Sequence, residues 1–151
     1  MIDAKVTGEV YGGYSESSGA SLTGNTIELH DNAVVDNAKL FGSYKKDNLP
    51  QVFSMLKVSN NNNNILAINN WNGAVEQLKN FDEIKFNEIK WQDGTVLTIK
   101  DAKNSDLSNT VINAEQVNFT GGTEIQANTS MNLIAAANES DSENLGINEA
   151  K

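Results

Sequence analysis

The chain has no Cys, a single Pro and a single His among its 151 residues, and all 11 of its bases are Lys, so it has no Arg. Without Cys there is no disulfide framework, thiolate metal site or Cys nucleophile. That absence suits the cytosol, and equally suits bacterial secreted proteins that must cross an envelope unfolded. Without Arg there are no bidentate forks for phosphates or base edges. Twenty acids against those 11 bases give a net charge of −9, which opposes the phosphate neutralisation that nucleic-acid affinity needs and disfavours anionic membrane surfaces. No nucleic acid is therefore expected as a partner. No run of about 18 apolar residues is present, so no transmembrane helix is expected. Met1-Ile2-Asp3-Ala4-Lys5 lacks the basic-then-apolar layout of a signal peptide.

Apolar residues make up 38% of the chain, low for a compact globule and suited to a thin, elongated one. Asn is abundant and includes the run Asn60 to Asn64. Asn tolerates left-handed backbone and caps turns, and can form hydrogen-bonded ladders when like residues stack. Many tight turns between short strands are expected.

The internal repeat organises the reading. Val10-Tyr11-Gly12-Gly13-Tyr14-Ser15 returns thirty residues later as Leu40-Phe41-Gly42-Ser43-Tyr44-Lys45. A fixed period in a strand-rich chain predicts a repeat array, here one and a half turns of a β-solenoid that continues with looser lettering. Tyr11 with Phe41 and Tyr14 with Tyr44 then read as stacks between successive turns.

Along the chain, Ile2, Ala4 and Val6 alternate at period two, and Val10-Tyr11 resume before the glycine turn. Residues 15–25 read as a loop. Ile27 and Leu29, then Val34-Val35 and Leu40-Phe41, predict further short strands. Lys45 to Asn48 reads as a polar turn. Val52 to Val58 is apolar enough for the core, with a period ambiguous between strand and helix, and Ile65 to Ile68 is a strand. Residues 74–79 (Ala-Val-Glu-Gln-Leu-Lys) are good helix formers with Val75 and Leu78 at i, i+3, which predicts one short inserted helix. Ile84, Phe86, Ile89 and Trp91 predict a strand pair, Asp93-Gly94 a tight turn, and Thr95 to Ile99 the strongest strand. Leu107, Val111-Ile112, Val117 with Phe119, Ile125 and Met131 to Ile134 read as short units between polar turns, including Gly121-Gly122. Residues 1–137 form the expected β-solenoid region, and 138–151 an acidic polar tail or end.

The unit at 10–15 with Asn25-Thr26-Ile27-Glu28-Leu29 resembles the repeats in passenger regions of bacterial autotransporter adhesins. Asn64-Ile65-Leu66-Ala67-Ile68, Gly73-Ala74-Val75, Leu78 to Phe86 and Gly94 to Ile99 look like a second element of that family, in which a short helix precedes an Asn-Phe-x-x-Ile-x-Phe strand. The resemblance spans roughly residues 8–125. It implies a right-handed parallel β-helix, export through an outer membrane and display on the bacterial cell surface or secretion. It implies a passenger segment only, since no membrane-spanning barrel is recognisable here. Expected partners are a host-cell or extracellular-matrix ligand, a neighbouring bacterial cell, or another copy of the chain.

Residues that could carry chemistry have plainer readings. His30, the lone His, reads as a turn residue; Asp31 and Asp36 lie nearby, but no positioned Ser or oxyanion hole accompanies them. Gly12-Gly13 is no phosphate loop, because no Lys-Ser/Thr and no helix follow. Asp82, Glu83, Glu88, Asp93 and Asp101 are the candidates if the chain were a carbohydrate-active β-helix enzyme, a polysaccharide lyase or glycosidase. Their turn and alternating positions read as solvated charge. A phage-fibre solenoid is a further alternative. No nonapeptide or EF-hand calcium motif occurs. The expectation is a non-enzymatic chain with no catalytic, cofactor-binding or metal residues and no cofactor. Trp71, between Asn and Gly, is the best candidate for an exposed ligand-stacking aromatic.

Overall fold

A computed structural model describes residues 1–17, 21–45, 63–90, 95–115, 117–120 and 132–137. The strands are β1 (Gly8–Tyr11), β2 (Tyr14–Ser15), β3 (Thr26–Leu29), β4 (Val35–Phe41), β5 (Tyr44–Lys45), β6 (Ile65–Asn69), β7 (Gly73–Lys79), β8 (Glu83–Lys90), β9 (Thr95–Ile99), β10 (Val111–Asn113), β11 (Asn118–Thr120) and β12 (Asn132–Ala136). Among the described residues the one helical element is a 3-10 turn, Ala102–Asn104. The expectations for Val52 to Val58, Trp91, Asp93-Gly94, Gly121-Gly122, Ile125, Met131 and the 138–151 tail lie outside the described residues, as do residues 46–48 of the expected polar turn.

The fold is all-β with parallel sheets. One sheet runs β1-β4-β7-β9-β12 and a second runs β10-β8-β6-β3, with β11 also on β8; β2 and β5 form a small third pair. Every pairing between these strands is parallel. Parallel neighbours cannot be joined by a hairpin and need a crossover. Here that crossover contains a strand of the opposite sheet, so β3, β4, β6, β7, β8 and β9 alternate strictly between the two sheets.

Register turns this alternation into rows of like side chains. Ile27, Leu66, Ile84 and Ile112 form one row, and Leu29, Ile68 and Phe86 another. On the opposite sheet Val10, Leu40 and Leu78 are aligned, as are Val35, Val75, Ile99 and Ala136. All but the half-buried Val10 lie in the core. Each fully buried aliphatic contributes about 1.5–3 kcal/mol, and each draws its burial from the strand beside it and the sheet opposite.

The repeat expected at 10–15 and 40–45 is in register: Val10 pairs with Leu40, Tyr11 with Phe41, Tyr14 with Tyr44 and Ser15 with Lys45. Its glycines are explained by close approach. A Cβ on Gly12 would stand 2.6 Å from the Gly42 carbonyl oxygen, and one on Gly42 would overlap the Asn80 carbonyl. The left-handed role expected of Asn also holds: Asn63, Asn70 and Asn80 have φ of 54°, 56° and 61°.

The helix expected at 74–79 is a strand, β7. Helix propensity is a weak prior, and six residues are too few for a helix to sustain itself. The slot between β4 and β9 offers parallel pairing on both edges and burial of Val75, Gln77 and Leu78. The register against β4 shifts between Val35 and Lys39, the steps from Val35 to Lys39 standing against the shorter span from Val75 to Gln77. Val75 and Leu78 are both fully buried in this strand. The expected strand pair from Ile84 onward is one continuous strand, β8, with Asn69 set against Glu88 after a register shift. Residues 2–6 make isolated parallel bridges, Ile2 to Leu29 and Lys5 to Val34.

Candidate functional site: the aromatic corner and the polar ladders

Three features of the surface and corners carry polar or aromatic chemistry. The first is the aromatic corner built by the repeat. Tyr11 and Phe41 stack with centroids 5.3 Å apart, and Tyr14 and Tyr44 stack at 5.8 Å with planes 6° apart. Tyr11 also lies 5.2 Å from Tyr14 and 5.1 Å from Tyr44, and Phe41 meets Tyr44 edge-on at 5.7 Å. These separations fall in the attractive range for ring pairs. Phe41 is buried, whereas Tyr14 is 46% exposed. Backbone bonds fix the corner: Gly12 N–H donates to the Phe41 carbonyl at 2.8 Å and Tyr44 N–H to the Gly13 carbonyl at 2.9 Å. Two carboxylates border it. Tyr11 O–H donates to Glu9, and Tyr14 O–H to Glu16 Oε1 at 3.3 Å. The bond to Glu9 is the main cause that pushes the Tyr11 phenol up to about 12.

The second is a ladder of residues standing immediately before successive strands of one sheet: Asn25, Asn64, Asp82 and Thr110. Asn64 is buried. Its Oδ1 accepts from Asn25 N–H at 3.1 Å and Asn25 Nδ2 at 2.9 Å, and its Nδ2 donates to the Leu22 carbonyl at 3.0 Å. Asn64 N–H donates to Asp82 Oδ2 at 2.9 Å, and Thr110 Oγ1 donates to the Phe81 carbonyl at 2.7 Å. Asn87 adds a further rung by donating to Asn69 Oδ1 at 3.0 Å. The Asn-on-Asn stacking expected from composition is therefore present. The particular rungs were legible only as polar residues placed one position before each strand.

The third is the row Glu9, Lys39 and Gln77, which is in register across β1, β4 and β7. Gln77 Nε2 extends it by donating to Asp101 Oδ2 at 2.8 Å, and Asn104 Nδ2 donates to the same carboxylate at 2.9 Å. The bonds from Asn104 and then Gln77 hold the Asp101 carboxyl below its ordinary range.

Three of the candidate acids, Asp82, Glu83 and Asp101, take different structural partners. Asp82 sits on the Asn ladder, Glu83 Oε1 accepts from Asn113 Nδ2 at 2.7 Å, and Asp101 follows a strand of the other sheet. Glu88 is five positions along β8 from Glu83. That is about 16 Å of extended chain, beyond the about 5–9.5 Å that separates paired glycosidase carboxylates. Asp93 lies outside the described residues. His30 is a turn residue, as expected: its carbonyl accepts from Ala33 N–H at 2.9 Å, and its Nε2 lies 3.1 Å from Glu28 Oε2. Among the described residues no group of three or more His, Asp or Glu side chains could hold a metal ion.

Trp71 is not the exposed aromatic expected from its flanks. It is 1% exposed, and its Nε1–H donates to the Ala33 carbonyl at 2.7 Å. The flanking glycine explains why: a Cβ on Gly73 would meet Trp71 Cζ2 at 2.7 Å, so the small residue closes over the indole. Among the described residues the exposed aromatic is instead Tyr14, in the tyrosine corner.

Comparison with protein-family models, with curated proteins and with solved structures finds no match. The resemblance to autotransporter passenger repeats rests on the residues quoted for it.

Proposed function

We propose that the chain is a segment of a surface-exposed bacterial autotransporter adhesin, a non-enzymatic right-handed parallel β-solenoid acting in adhesion or self-association. The observation that carries this reading is the alternation of β3, β4, β6, β7, β8 and β9 between two all-parallel sheets, each pairing with its counterpart one repeat away. A coil that advances by one strand spacing per turn produces that order, and the right hand is the one parallel crossovers nearly always take. Each coil contributes two or three apolar side chains per sheet, too few to fold alone, and stacking completes the core. The exterior then carries rows of Asn, Thr, Glu and Lys with an aromatic corner. Recognition would be spread along such a face, towards a host-cell or matrix ligand, a neighbouring cell or a second copy. The partners placed on Asp82, Glu83 and Asp101 suit structural roles for these acids.

The test is display. The chain is fused between an export signal and an outer-membrane β-barrel, and cells are scored for surface exposure by external protease, for adhesion to matrix-coated and cell-coated surfaces, and for aggregation. The expected result is surface exposure with adhesion or aggregation above the barrel-only control. Display with neither, or polysaccharide turnover abolished by D82N or D101N, would overturn the proposal.

A further inference from the structure

All three tyrosines of the chain, Tyr11, Tyr14 and Tyr44, lie in one corner, with every pair of ring centroids between 5.1 and 5.8 Å. Packing alone does not require phenols here, because Phe41 fills the matching position beside Tyr11. The hydroxyls are also placed for chemistry. Tyr14 is 46% exposed, and the carboxylates of Glu9 and Glu16 accept from the Tyr11 and Tyr14 hydroxyls. Loss of an electron from a phenol requires loss of its proton, and a carboxylate already bonded to the hydroxyl is poised to take it. Tyr11 and Tyr44 belong to successive repeats, on β1 and β5, and their rings are 5.1 Å apart and tilted by 45°. Two phenol rings joined carbon to carbon beside their hydroxyls adopt a twist of that kind. The Tyr14–Tyr44 pair is parallel to within 6° and would have to rotate.

We propose that this corner is an oxidative modification site at which peroxide, acting through a haem peroxidase, joins Tyr11 to Tyr44 as an intrachain dityrosine that staples the first repeat to the second. Tyr14, the most exposed phenol, loses the first electron and passes the oxidation inward. Each coupling ring gives up one electron and its phenolic proton. The radicals form a carbon–carbon bond at the ring positions beside the oxygens. The hydrogens on those carbons return to the oxygens as the phenols re-form. The chain loses two hydrogens in all, and one hydrogen peroxide is reduced to two waters. The inference does not depend on the adhesin reading, because it needs only the corner.

The test uses the purified full chain at low concentration with a haem peroxidase and about one equivalent of hydrogen peroxide. The expected product is a monomer lighter by two hydrogens, with dityrosine fluorescence. Trypsin should release the 6–39 peptide bonded to the 40–45 peptide, with fragmentation placing the bond on Tyr11. Y11F and Y44F should each abolish the fluorescent monomer, and Y14F should slow its formation without changing the product. Equal yield from the chain in denaturant, dimers alone whose yield rises with concentration, a bond mapped to Tyr14, or no dityrosine at all would each overturn the proposal.

Discussion

Replacing Asn64 by Ala tests whether the polar ladder is a structural rung or a solvated edge. The side chain is 1% exposed and makes three hydrogen bonds, two accepted from Asn25 and one donated to Leu22. At about 1 kcal/mol net per bond, the loss is about 3 kcal/mol. For a chain of this size each kcal/mol moves the midpoint by about 2–4 °C, so thermal unfolding followed by circular dichroism should fall by about 6–12 °C. Asn25→Ala removes only the side-chain donor, since Asn25 N–H still reaches Asn64, and should cost about 1 kcal/mol. Because one bond is shared, the double variant should cost about 1 kcal/mol less than the sum of the singles. A fall below about 2 °C for N64A, or strict additivity in the cycle, would mean that water replaces the rung and that the ladder does not hold the parallel strands in register.

W71F should cost about 2–3 kcal/mol in denaturant unfolding, through the lost bond to Ala33 and the volume left beneath Gly73. In a W91F background, acrylamide should quench Trp71 only weakly. G42A should destabilise by about 2–3 kcal/mol, because its Cβ meets backbone, whereas G24A should cost about 1 kcal/mol, because Gly24 has φ of 70° with open space around it; the reverse order would refute the close-approach argument. Acid should find Asp101: its folded carboxyl is held below its unfolded value of about 3.9, so its stabilisation is present above that pH and lost as pH falls through the folded value. D101N should therefore flatten part of the acid limb of a stability–pH curve. Base should find Tyr11 in the opposite sense: its raised folded value, about 12, makes its contribution full below about 10 and lost as pH rises towards 12, and E9Q should lower that titration in an ultraviolet absorbance scan.

Much of the architecture could be read locally. Period-two apolar runs, abundant Asn and the thirty-residue echo of Val10 to Ser15 in Leu40 to Lys45 point to short strands, left-handed corners and ring-on-ring stacking. Each of these depends on a residue's own backbone preference or on a repeat spelled out twice, and the register bears out the repeat. Three other outcomes belong to the tertiary structure. Residues 73–79 are a strand because β4 and β9 pair with them on both edges and Val75 and Leu78 are buried there; no local property of Ala-Val-Glu-Gln-Leu-Lys contains that information. Trp71 is core because the carbonyl of Ala33, thirty-eight residues earlier, accepts its indole proton and Gly73 covers it. Asn64 is a rung because Asn25 and Asp82 arrive on either side of it. Side-chain identity limits which bonds a residue can make. In parallel sheets, whose partners lie a whole repeat away, only the register decides which of those bonds form.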